Sequence, residues 1–211
     1  MVSSTKGGTG KTTIAVNLAC GLAETGLRTL LVDLDVQFGD VGIVLGLDRP
    51  TKTLHDLIAV ADDLDAEKLR GYVLRHESGL AILPAPLRPE EGEAIDATRI
   101  AGILQTARGM YDAIVVDTAP LFDGPMLTAL DRSDQLLLVS TPDVPSMKNI
   151  RLALQTLELL GFPIERVALV ANRSGMLPFL KSGIGQVLMA YSVASMAVGA
   201  FVLSRIVNVK G

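Results

Sequence analysis

Short apolar runs without polar alternation punctuate the chain at Leu27–Asp33, Leu80–Leu83, Tyr111–Asp117, Gln135–Ser140 and Arg166–Ala171. Runs of this kind suit strands buried on both faces of a parallel sheet. Between them the apolar spacing changes to that of a helix. Met147, Ile150, Leu154 and Leu157 form one stripe, closed by Gly161 and Pro163. Lys11–Glu24, Ala97–Arg108 and Pro125–Leu130 are also predicted as helices. The alternation predicts an α/β, three-layer fold with a mostly parallel central sheet and right-handed crossovers. Pro84–Pro89 reads as a connecting loop. The first strand is expected to be short, because only Met1–Ser4 precede a glycine-rich stretch, and no closing strand is recognisable after Asn172.

Composition narrows the class. The chain has 211 residues, enough for one domain with its own core. With 49% hydrophobic and 20% charged residues it is not a disordered chain. A net charge of −4 gives no global reason to bind nucleic acid, so that partner is not expected. The lone Cys20 excludes a disulfide framework and a zinc cluster, and suits a reducing cytoplasm. His55 and His76 are isolated, with no ligand spacing around them, and read as surface residues. The N-terminus carries no secretory signal.

Mean hydropathy is +0.41, and the excess lies largely in Ser182–Ser204, which holds no charge. As a helix this segment would be about 34 Å long, against a hydrocarbon core of about 30 Å. Three readings stay open for it. It is a membrane-associated helix, which would put the protein at the inner face of the cell membrane; it is a closing part of the core; or it is an end foreign to the domain.

The chemistry concentrates in Thr5-Lys6-Gly7-Gly8-Thr9-Gly10-Lys11-Thr12-Thr13, which opens the first predicted helix. Successive glycines let the backbone curl so that several N–H groups point into one concavity suited to phosphate oxygens. Lys11 would neutralise the β- and γ-phosphates, and the Thr12 hydroxyl would ligate Mg²⁺. The strict phosphate-loop pattern places Gly where this chain has Thr5.

Lys6 directly before Gly7-Gly8 resembles the deviant Walker A motif of the MinD/ParA ATPases. Asp33-Leu34-Asp35 after the second strand is similar to that family's first switch. Asp117-Thr118-Ala119-Pro120 resembles its Walker B and second switch, and Ala171-Asn172-Arg173 its adenine-reading turn. The resemblance covers about residues 3–173, so the ATPase domain is expected over 1–175 and a separate apolar segment over 176–211. It implies a P-loop NTPase fold that binds ATP and Mg²⁺ and forms an ATP-dependent homodimer, with Lys6 reaching the partner's phosphates. The loop residues Lys6 to Thr13 would hold the nucleotide, and Asn172 and Arg173 its adenine. Asp35 would orient the attacking water and join Thr12 and Asp117 around the metal. Asp33 stays open between a solvated carboxylate and a site group, and Asp40 would sense the γ-phosphate. The wording of Asp33–Asp40 and of Asp117–Phe122 is most like the TadZ/CpaE branch, which assembles Flp-type pili. The receiver-like domain common in that branch is missing, which suggests a fragment or a short form.

Overall fold

The computed structural model describes residues 1–47, 50–120 and 122–172. Seven strands form one sheet: β1 (Val2–Ser4), β2 (Thr29–Leu34), β3 (Leu74–Arg75), β4 (Ala81–Leu83), β5 (Ala113–Thr118), β6 (Leu136–Ser140) and β7 (Val167–Ala171). Their order across the sheet is β3-β4-β2-β5-β1-β6-β7. Every described pairing is parallel except that of β3 with β4. The expected mostly parallel sheet is therefore present, and β1 lies inside it. Its Val2 is in register with Asp117 on one side and Leu137 on the other.

Period-two alternation assigns the strand residues to layers. Leu30, Val32 and Leu34 of β2 face one core cluster, with Ile100, Ile103 and Leu104 of the helix Ala97–Arg108. Leu31 faces the other, with Ala15, Val16 and Ala19 of the helix Lys11–Glu24. This two-sided burial is why the strands read as unbroken apolar runs.

The helices, in chain order, are α1 (Lys11–Glu24), α2 (Val41–Val44), α3 (Leu54–Ile58), α4 (Ala66–Tyr72), α5 (Pro89–Gly92), α6 (Ala97–Arg108), α7 (Gly124–Asp131) and α8 (Val144–Leu159). The three long predicted ones are recovered, α1 and α6 with unchanged ends. Their starts follow local chemistry. Asp96, Asp123 and Asp143 each accept a hydrogen bond from a backbone N–H in the first turn of α6, α7 and α8. Thr53 and Asp56 form a capping box on α3. Leu157 of α8 is fully buried with Leu130 and Leu136, the anchor of its stripe. The short elements α2 to α5 and β3 were not predicted, since fewer than two turns leave no period to detect.

Met1–Ala171 forms one compact unit and Asn172–Gly211 another. Of the second, only Asn172 is described. The readings of Arg173 and of Ser182–Ser204 therefore lie outside the described residues. Among the described residues, no helix is long and apolar enough to cross a membrane.

Candidate nucleotide site

β1 and α1 are joined by the glycine loop, at the carboxyl end of a strand that lies between β5 and β6. Crevices at that end of an open α/β sheet are where ligands bind. Gly8 and Gly10 have φ of 74° and 87°, values that L side chains rarely adopt, and Gly10 is the residue from which α1 starts. The loop's two lysines have opposite environments. Lys11 is buried, 8% exposed, in the first turn of α1, whereas Lys6 is exposed. Thr9 is buried, Thr12 half-buried, and Gly7, Gly8 and Thr13 are exposed.

Three carboxylates converge beside this loop. Asp33 and Asp117 are direct register partners in the β2–β5 ladder. Both are out of solvent. Neither oxygen of Asp117 has a hydrogen bond of good geometry. Burial raises its pKa above the ordinary carboxylate value, while the nearby Thr12 hydroxyl and the Lys11 charge act in the opposite direction. Asp33 is raised to about 8, first by burial and then by the Asp117 charge. Its oxygens accept hydrogen bonds from the Asp35 N–H (3.1 Å) and the Val41 N–H (3.2 Å). Asp33 is thus no solvated loop carboxylate. It lies within β2 and fastens the following loop to the sheet.

That loop carries Asp35 and Asp40. Asp35 is half-buried, and its Oδ1 accepts from the Phe38 N–H at 3.3 Å. Its charge contributes to the raised pKa of both Asp33 and Asp117. Asp40 is exposed and precedes α2 without a side-chain cap bond.

An unpaired carboxylate fully out of water is costly, and a hydrated cation beside it would satisfy it. The donor set therefore fits Mg²⁺, which commonly takes one or two protein ligands plus phosphate oxygens and water. Among the described residues, no group of three or more His, Cys, Asp or Glu side chains is arranged to hold a metal ion by itself.

The Pro-rich loop after β4 has a role that sequence reasoning missed. Pro84, Ala85, Pro86 and Leu87 line a cleft of about 390 Å³ with Asp33 and Gly39. A Cβ on Gly39 would lie 2.3 Å from the Ala85 Cβ and 2.5 Å from Asp33 Oδ2. On Gly42, by contrast, the nearest atom would be 4.0 Å away. Gly39→Ala is therefore expected to destabilise the fold by about 1–3 kcal/mol, and Gly42→Ala by much less. Urea titration of the two variants checks this; equal midpoints would refute the close approach. The signal in the sequence was Gly39 itself, in a loop where no positive φ demands glycine.

A helix entered through curled glycines, beside a buried carboxylate on a neighbouring parallel strand, defines a P-loop nucleotide-binding protein. The chain belongs to the AAA_31 family, an AAA domain, whose profile matches residues 1–164. It is 29% identical over 174 residues to the septum site-determining protein MinD of Thermotoga maritima, covering 82% of this chain and 63% of that protein. In structure it is similar to a ParA family ATPase from Chlorobium tepidum (TM-score 0.77, 27% identity, 90% of this chain and 80% of that one). It is also similar to MinD complexed with Mg-ADP from Pyrococcus horikoshii (TM-score 0.69, 27% identity, 82% and 69%). The chain spans just under two thirds of the curated relatives it matches. These likenesses place it among MinD/ParA-type P-loop proteins.

Proposed function

We propose that this chain is a Mg²⁺-dependent ATPase that alternates between an ATP-bound homodimer and an apo or ADP-bound monomer. The observation that carries the reading is the buried, unpartnered Asp117 carboxylate beside Lys11 and Thr12 at the start of α1. Phosphoryl transfer asks mainly for positioning and charge neutralisation, and these residues supply both. The loop N–H groups and Lys11 bind the β- and γ-phosphates. Thr12 and Asp117 hold Mg²⁺, Asp117 through water, and Mg²⁺ when bound neutralises charge on the phosphate oxygens. Asp35, one residue past β2, orients the attacking water. Asn172 and Arg173 contact the adenine. The relative solved with Mg-ADP supports the cofactor pair.

Lys6 is exposed where Lys11 is buried, which suits contact with nucleotide on a second copy. We assign the cycle to spatial positioning or assembly of Flp-type pili, on the wording of Asp33–Asp40 and Asp117–Phe122. The protein would work in the cytoplasm or at the inner face of the cell membrane. The likeness to MinD supports a second reading, selection of the division site. Flanking genes for a secretion ATPase and a prepilin would decide for the pilus, and genes for division-site partners against it.

The direct test is calorimetric titration of purified protein with ATP, with and without Mg²⁺. Wild type should bind Mg-ATP, and Thr12→Ala should bind it roughly tenfold or more weakly through loss of a metal ligand. Unchanged affinity in Thr12→Ala would remove that ligand, and a wild type blind to ATP would overturn the whole reading.

A further inference from the structure

β2 and β4 are neighbours, with Val32 in register with Leu83, so the segments that leave them emerge side by side at the carboxyl end of the sheet. The glycine loop leaves β1 at that same end. The segment after β2 is pinned at both ends. Asp33 accepts hydrogen bonds from the Asp35 and Val41 N–H groups, and Gly39 lies against Ala85 of the other segment. Phe38 stands in the middle of this held stretch and is 74% exposed. A phenyl ring left that far in water on a fixed backbone is an apolar knob.

Beside the knob is a hole. The cleft of about 390 Å³ runs between the two segments, and Ile43, Leu47, Pro84, Pro86 and Leu87 give it apolar walls. A cavity of about 150 Å³ already takes up benzene, so this cleft has room for a phenyl ring. Gly39 lines it, but the neighbouring Phe38 does not. Ile43 (77%) and Leu87 (59%) make an exposed apolar rim. The flanking charges are opposite. Asp40 follows the knob and Arg88 follows Leu87, and both are exposed.

A knob and a hole on one surface meet the condition for a self-complementary contact about a two-fold axis, in which residue i meets j and j meets i. We infer that the Phe38 ring of each copy enters the cleft of the other when ATP brings two copies together. The inference rests on the homodimer proposed above, and adds an apolar anchor to the charge that Lys6 supplies. Two-fold symmetry makes the contact twice and brings the acidic flank of the knob to the basic flank of the hole each time. Because the loop is already held by Asp33, docking the ring orders little that was not ordered before.

Sedimentation velocity in ATP tests this with two single variants. Phe38→Ala removes the knob, and Leu87→Glu charges the rim of the hole; both side chains are exposed, so each variant should keep the fold. Each variant homodimer loses both contacts and should dissociate at a concentration roughly a hundredfold above wild type, about tenfold per contact. The decisive sample is their equimolar mixture. A mixed dimer joins the Phe38 of one variant to the unaltered cleft of the other. It keeps one contact and should be roughly tenfold tighter than either variant alone. Should Leu87→Glu melt early, Ile43→Glu on the same rim replaces it. Wild-type dimer strength in Phe38→Ala overturns this inference and leaves the dimer reading standing. A mixture no tighter than its parts means that Phe38 acts within its own subunit, and also overturns it. A wild type that stays monomeric in ATP removes the dimer reading and this inference together.

Discussion

Asp35→Ala is expected to bind ATP within about threefold of wild type and to turn it over at least roughly tenfold more slowly. Asp33 and Asp35 are two residues apart, but the structure gives them different work. Asp33 is 1% exposed, with its oxygens engaged by two backbone N–H groups of its own loop. Each of its oxygens is already occupied by that loop. Asp35 lies beyond the end of β2 and is half-buried, with one long hydrogen bond to Phe38 N–H. Its charge adds to the raised pKa of Asp117, so it lies within electrostatic reach of that carboxylate. Alanine would remove the group proposed to act on the attacking water and leave the phosphate loop intact. Phosphate release by the purified variant measures this, and near-normal turnover would be decisive against the assignment.

Lys6→Ala is expected to keep ATP affinity, to remain monomeric with ATP bound, and to lose turnover by at least roughly tenfold. The two loop lysines differ in environment, and this separates their roles. Lys11, buried in the first turn of α1, is the lysine proposed above for the nucleotide of its own subunit. Lys6 is surplus to that cradle and projects to solvent. A charge-assisted contact that forms only when nucleotide and partner are both present shifts the equilibrium toward the dimer by its full worth. Light scattering with ATP compares the two proteins. Equal dimer in wild type and variant would refute the cross-subunit contact.

The sheet and its long helices were legible in the sequence for a physical reason. Strands such as β2, all six residues buried, and helices such as α1 and α6 bury long stretches, and burial writes itself as hydrophobic pattern. The short β1 was legible only through the glycines that follow it. The loops were not legible. Nothing in Pro84–Pro89 says that Ala85 packs on Gly39, because that contact joins residues 46 apart with no pattern of their own. The loop residues of the site were readable as types at a spacing. What the sequence left open was environment: Asp33 as a buried fastener depends on the β2–β5 register.

Asp33 and Asp117 side by side in a dry sheet also bear on how this protein would respond to selection. Because Asp33 holds its proton up to about 8, ionising it in the folded state is unfavourable. Its drain on stability is absent below about pH 4, grows as pH rises, and is complete above about 8. A mutant library ranked only by survival of heat at mildly alkaline pH would therefore be enriched in uncharged replacements at these two positions. The hardiest clones would be those that had discarded the fastener of the loop after β2 and the proposed anchor of the cation. Robustness and nucleotide chemistry pull in opposite directions at one rung of the β2–β5 ladder, so any thermostable variant made for practical use should be improved elsewhere in the fold.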